Sequence, residues 1–261
     1  MKFWNRRNKI EFFHNEPSII DNFPVIESKD LKLNWTKKAR EDFENHIKVG
    51  FGAKTPYFTH LVRCPGIFDL FKYGYIIPLH KDVMIIPEGD TKFKWFSRPG
   101  RHSNTTSSAD PRQQDNFRIT AVPESVVNLL PKPSWVKNFI VKIDTGWNVI
   151  APKGIKFITL PIAYPDTFNF TTSTGILNPA ISTQVNFQLF WSGGQEETLL
   201  KAGTPLAQLI PLTEKKYQMV QRIMNKKDSE WILKLDSMSD STFWAHSVRN
   251  KVADMYTKYW N

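Results

Sequence analysis

His80 and Asp82, separated by one residue, are the pair in this chain best spaced for chemistry. A strand has a side-chain period of two, so both would point to one face. His-x-Asp on a strand is the opening of a two-histidine, one-carboxylate iron site, and His60 is the nearest residue able to complete it. The competing reading is a polar strand end facing solvent. His14, His46, His102 and His246 form no H-x-H or H-E-x-x-H unit with any neighbour, so the residue pattern implies neither a metal nor another cofactor beyond that one weak pair. The lone cysteine, Cys64, has His60 four residues before it. Together they hold the elements of a Cys–His nucleophile, although a solitary cysteine before Pro65 reads more simply as a buried structural thiol. One cysteine excludes an intrachain disulfide and a cysteine-cluster zinc site. Asp82, Asp144 and Asp166 lie beside turn residues and serve as turn formers as readily as acids. No G-x-S-x-G elbow, phosphate-binding loop or G-x-G-x-x-G turn is present. On its residues alone the chain therefore reads as non-catalytic rather than catalytic.

Binding residues are more plentiful. Arg98, Arg101, Arg112 and Arg118 fall in or beside the polar stretch 97–117, SRPGRHSNTTSSADPRQQDNF. A structureless loop of about 20 residues is uncommon in a compact domain, and long loops of this kind are functional or disordered. Its arginines suit phosphate or an acidic partner. The net charge of +10, from 35 Lys and Arg against 25 Asp and Glu, favours acidic partners or nucleotides at low salt. Trp95, Trp135, Trp147, Phe157, Phe168, Phe170, Phe187, Phe190 and Trp191 supply either a stacking surface or a core. No run of about 18 apolar residues exists, so no membrane partner is expected. The basic start MKFWNRRNKIEFF lacks the apolar region of a signal peptide.

These residues must be positioned by short elements, because 17 prolines and 12 glycines are spread along the chain. Residues 1–63 read as a packing segment with a strand at NKIEFF and one helix over 35–50, capped by Thr36 and stopped by Gly50. Residues 64–213 read as a β-domain. YIIPLHKDVMIIP gives two strands, Gly89-Asp90 a hairpin turn into TKFKWF, and Asp144-Thr145-Gly146 and Pro152-Lys153-Gly154 the next turns. In 181–191, Val185, Phe187, Leu189 and Trp191 share one parity and Gln184, Asn186 and Gln188 the other. Residues 214–261 read as a helical tail, with Tyr217, Val220, Ile223 and Met224 forming its first apolar stripe.

Over 134–212 the order of pieces resembles the β-clip, jelly-roll-like fold of the deoxyuridine triphosphatase family. Pro152-Lys153-Gly154, Gly175-Ile176-Leu177-Asn178 and the Gly203-to-Leu209 stretch GTPLAQL stand in the places of its turns and closing strand. The catalytic carboxylate of that family falls at Asn178, which cannot act as a base. Its phosphate cradle is replaced by Leu160-Pro161-Ile162-Ala163. The chain is more closely similar to an uncharacterised β-rich family of tailed phages and bacteria. Cys64-Pro65, Gly74 to Asp82, Gly146-Trp147, Pro152-Lys153-Gly154, Gly175-Ile176, Asn186-Phe187 and Gly203-Thr204-Pro205 carry that resemblance.

The resemblances imply a mainly β fold, a jelly-roll or β-clip-like barrel or sandwich. The first function they imply is a non-enzymatic phage protein, a structural or assembly module in the virion or host cytoplasm that associates with itself or other phage proteins. The second is a nucleotide- or small-ligand-binding protein using Asn178, Asn186 and Trp147. A third reading, from the His-x-Asp spacing and not from the resemblances, is an iron-type enzyme using His80 and Asp82. Arg98, Arg101, Arg112 and Arg118 are the expected partner contacts.

Overall fold

A computed structural model describes residues 8–48, 61–97, 101–103, 117–194, 196–239 and 246–260. The strands and helices run in the order β1 (Lys9–His14), α1 (Pro17–Asn22), β2 (Ile26–Glu27), α2 (Asn34–Lys48), α3 (Pro65–Phe68), β3 (Tyr75–Pro78), β4 (Val83–Glu88), β5 (Lys92–Ser97), β6 (Arg101–Ser103), β7 (Phe117–Ala121), α4 (Glu124–Val127), β8 (Ile140–Ile150), β9 (Phe157–Leu160), β10 (Phe170–Thr172), β11 (Gly175–Leu177), β12 (Gln184–Trp191), β13 (Thr198–Leu200), β14 (Pro205–Pro211), β15 (Gln218–Ile223), α5 (Lys226–Ser239) and α6 (His246–Trp260).

Among the described residues the strands form three sheets. The largest has the order β10-β12-β8-β1-β15, with β7 also paired to β8; the second is β11-β9-β14-β3-β2; the third is β13-β4-β5-β6. Among the described residues none closes into a barrel, which corrects that part of the expectation and leaves a mainly β, sandwich-like packing. The reason lies in the connections. β13 and β14 flank the Gly203 turn, yet β13 pairs with β4 and β14 pairs with β3 and β9. The chain changes sheet there instead of closing one.

One core serves all three sheets, because the alternating apolar faces converge. Val185, Phe187, Leu189 and Trp191 of β12 meet Ile10 and Phe12 of β1, Tyr75 and Ile77 of β3, and Phe93 and Trp95 of β5. The parity expected for β12 holds, with these four buried and Gln184 and Asn186 exposed.

Two expected elements are different in kind. Asp144-Thr145-Gly146 is no turn: β8 runs unbroken from Ile140 to Ile150. Gly146 takes φ +74 inside it, and the pairing with β12 shifts between Gln184 and Asn186. The segment is a bulge, which keeps strand direction while adding residues, and the Thr145 hydroxyl donates to the Val185 carbonyl at 2.6 Å within it. The stripe Tyr217, Val220, Ile223 and Met224 is not helical either. Gln218–Ile223 is β15, pairing parallel with all of β1. β-branched residues and a neighbouring strand edge outweigh a short helical period there.

Segments on both sides of 64–213 thus join the sheets. α5 and α6 then cover one end of the large sheet through a second cluster of Phe13, Ile150, Trp231, Leu235, Val252 and Tyr256. The clamp is Tyr256. Its hydroxyl accepts from the Ala151 N–H at 3.0 Å and donates to the Ala151 carbonyl at 2.9 Å. Burial is the main cause that pushes its pKa above the ordinary value. Tyr256→Phe strands two buried backbone groups, so urea denaturation is expected to show a loss of about 1–3 kcal/mol.

Tyr75 gives the fold an alkaline limit. Burial, then the nearby Glu27, pushes its pKa up to about 12. The folded state favours the neutral phenol, so the contribution is complete below the ordinary value near pH 10 and is lost as pH rises through the folded value. At about 1.4 kcal/mol per pH unit the loss reaches about 3 kcal/mol. Urea midpoints at pH 9, 10.5 and 11.5 should fall more steeply for the parent chain than for Tyr75→Phe.

Candidate functional site

The large sheet builds one candidate site. Arg118 of β7, Asp144 of β8 and Asn186 of β12 are directly opposed across three adjacent strands, so their side chains stand in one row on one face. Arg118 Nε lies 3.4 Å and Lys142 Nζ 3.5 Å from the Asp144 carboxylate. The row forms the wall of a cleft of about 430 Å³, floored by Trp147 and roofed by Ile232, Leu233 and Asp236 of α5. Asn148, beside it, is committed internally: its amide donates to the Gly146 carbonyl, and its oxygen accepts from Thr183 at 3.0 Å. The Gly146 bulge is what brings Asn148 opposite Gln184 two residues out of regular register. Chemically the cleft offers a partly exposed guanidinium and amide donors and acceptors, the means to hold a small polar molecule.

Three of the expected site residues, Trp147, Asn186 and Arg118, therefore meet here. The others go elsewhere. Asn178 organises a turn: its Oδ1 accepts from Ala180 N–H at 3.2 Å, and its carbonyl accepts from Ile181 and Ser182. Arg98 and Arg112 lie outside the described residues; Arg101 contributes backbone to β6.

His80 and Asp82 do not share a strand face, because they occupy the connection between β3 and β4. His80 is buried, its ring 4.9 Å from Phe117 and 5.6 Å from His14, and His14 in turn sits 5.3 Å from Trp147. Asp82 instead anchors the turn before β14, accepting from Ala202 N–H at 2.8 Å. His60 lies outside the described residues, and among the described residues no three His, Cys, Asp or Glu side chains are grouped to hold a metal. Cys64, expected to be buried, is exposed. Among the described residues no helix is long and apolar enough to cross a membrane.

A second site was not legible in the sequence as a site. A groove of about 890 Å³ runs between the 161–168 loop, residues 30–33, β10 and the 203–206 turn. It continues into a cavity of about 500 Å³ beside Trp35, Leu61 and Ile67, and the two share Pro165, Asp166 and Phe168. Trp135 and Tyr164 are each 56% exposed and Phe168 is 75% exposed. The expected aromatic set thus divides. Trp95, Trp147, Phe157, Phe187 and Trp191 are core, whereas Trp135 and Phe168 face the groove.

The loop that presents Tyr164 and Phe168 is held firmly. Trp35 Nε1–H donates to the Tyr164 carbonyl at 2.8 Å, and Asp166 accepts from Asn34 N–H at 3.0–3.1 Å. Asp166, not Thr36, thus receives the first N–H of α2; the Thr36 hydroxyl turns back to the Leu33 carbonyl at 2.7 Å. Tyr164 sits at φ +50, a left-handed conformation that costs a non-glycine residue about 1–2 kcal/mol. The one sequence signal for this feature was the lone aromatics among turn residues in PIAYPDTF.

The chain matches no protein-family model and no curated protein sequence.

Proposed function

We propose that this chain is a non-enzymatic interaction module of a phage, resident in the virion or the host cytoplasm, whose three sheets derive from a jelly-roll or β-clip frame. The phage assignment and the frame rest on the resemblances carried by Gly146-Trp147, Pro152-Lys153-Gly154, Gly175-Ile176 and Gly203-Thr204-Pro205. The observation that carries the interaction role is the broad groove with Trp135 and Phe168 each more than half exposed, adjoined by the cavity that Tyr164, equally exposed, lines. Large aromatics so exposed on adjoining concave surfaces mark contact surfaces. Light scattering after size exclusion, across a concentration series and with co-expressed phage proteins, is expected to reveal self-association or a hetero-complex. A chain monomeric throughout, alone and with those proteins, overturns the reading.

A second reading, binding of a nucleotide or small polar ligand, is favoured by the Arg118–Asp144–Asn186 row beside Trp147. A ligand bound only by the folded chain must raise its melting temperature. In a thermal-shift screen with nucleotides and sugars, a shift that Arg118→Gln removes supports it; a flat screen overturns it.

A further inference from the structure

The cleft between the large sheet and α5 has an ion-paired centre, and that centre restricts its ligand. Asp144 stands in the middle of the three-strand row, with Arg118 opposite it on β7 and Asn186 opposite it on β12. Neighbouring strands lie about 4.8 Å apart, so the three side chains are presented in a line across the sheet. Arg118 at 3.4 Å and Lys142 at 3.5 Å both hold the Asp144 carboxylate. A phosphate entering the row meets Asp144, and an ammonium meets Arg118 and Lys142. Either must break an existing ion pair to be bound, whereas a neutral ligand leaves both pairs in place. The hydrogen-bonding groups around that centre are mixed. Arg118 only donates, Asp144 only accepts, and the exposed amides of Gln184 and Asn186 do both. A hydroxyl also does both, so a ring bearing several hydroxyls matches the row position by position. Phe117 and Trp147 are each 1% exposed, so neither offers a ring face on which a nucleobase stacks. Leu233 of α5, in the roof and 68% exposed, offers instead an aliphatic surface for the C–H groups of a sugar ring.

We propose that this cleft binds a neutral saccharide, its hydroxyls donating to Asp144, accepting from Arg118 and bridging the amides of Asn186 and Gln184. The proposal rests on the small-ligand reading of the cleft and names its ligand class. A nucleotide lacks both a stacking face here and a place for its phosphates that is free of carboxylate.

The test is a glycan array probed with the labelled full chain, followed by isothermal titration calorimetry with the neutral mono- or disaccharide that gives the strongest signal. The expected result is binding of equal affinity in about 50 and about 500 mM NaCl, because an uncharged ligand has no Coulomb attraction to screen. The affinity should fall several-fold with Asn186→Ala and on the order of tenfold with Arg118→Gln. Both side chains are exposed, so both variants are expected to keep the parent melting temperature, which checks that they are folded. A saccharide whose binding neither substitution weakens overturns the assignment to this cleft. Affinity that falls steeply with salt overturns neutral recognition. If no neutral saccharide binds while nucleotides or sugar phosphates raise the melting temperature of the parent chain but not of Arg118→Gln, the ligand class fails and the small-ligand reading stands. If nothing binds, both fail.

Discussion

Gly74→Ala is expected to lower the unfolding free energy by about 2–5 kcal/mol. Gly74 precedes β3 with φ +79, and a Cβ built there falls 2.2 Å from the Leu209 carbonyl oxygen and 2.9 Å from the Ile210 Cα. Left-handed backbone alone costs an alanine about 1–2 kcal/mol. The contact adds about 1–3 kcal/mol because it meets backbone, which cannot rotate away as a side chain would. That backbone belongs to β14, the interior strand joining β3 to β9. The damage therefore spreads to the seam of the second sheet. The Gly74 carbonyl also accepts from Ser28 N–H at 2.9 Å, and the Gln208 amide donates to the Leu70 and Tyr73 carbonyls just before it. Gly89→Ala is the control: φ is +75, but nothing lies within 4 Å of the added carbon. It should cost only the backbone strain. Urea denaturation of the two variants separates the terms, and equal losses would show that the close approach to β14 does not matter.

Gly74 also shows why part of the fold was readable and part was not. Its neighbours YIIP and VMIIP alternate or run apolar between turn signals, so β3 and β4 follow from local chemistry. The β4–β5 hairpin follows from Gly89-Asp90, and its register pairs Glu88 with Lys92. What the local pattern cannot carry is which distant strand each edge will meet. β1 and β15 are parallel partners more than 200 residues apart, Lys9 opposite Gln218. Alone, Gln218–Ile223 has an i, i+3 pattern that a helix satisfies equally well; only the waiting edge of β1 decides it.

The same limit governs the sites. A period of two placed His80 and Asp82 together on the assumption that a strand continues through them. The strand stops at Pro78, and the two side chains part, one into the core and one to Ala202 N–H. Arg118, Asp144 and Asn186 could not be joined from spacing, because their neighbourhood is lateral, set by the β7–β8–β12 register. Trp147 and Trp135 are the same residue type with opposite fates. The first follows a bulge into the core; the second stands on a proline-flanked loop over a groove.

Arg222→Met is expected to cost about 3–5 kcal/mol, the penalty for leaving a buried charge without its partner. Arg222 of β15 holds Asp228 through two guanidinium nitrogens, the second at 2.9 Å, and Glu11 of β1 through Nε at 2.8 Å. Asp228 is fully buried and also closes the start of α5, accepting from Asn225 N–H at 2.8 Å while its own N–H donates to the Asn225 side chain at 3.0 Å. The guanidinium lies 4.8 Å from the Phe13 ring centroid. Burial works against its charge, but the hydrogen bonds to Asp228 and Glu11 outweigh it and hold the pKa above the ordinary value. One cation thus joins β1, β15 and α5, the three elements through which the two ends of the chain meet. Because the loss comes from the stranded carboxylate, the double variant Arg222→Met with Asp228→Asn should recover part of it, since a neutral amide is cheaper to bury than an unpaired carboxylate. A double-mutant cycle by urea denaturation reads the coupling. Additive losses would mean that the ion pair does not hold the junction and that the apolar cluster around Phe13 and Trp231 does so alone.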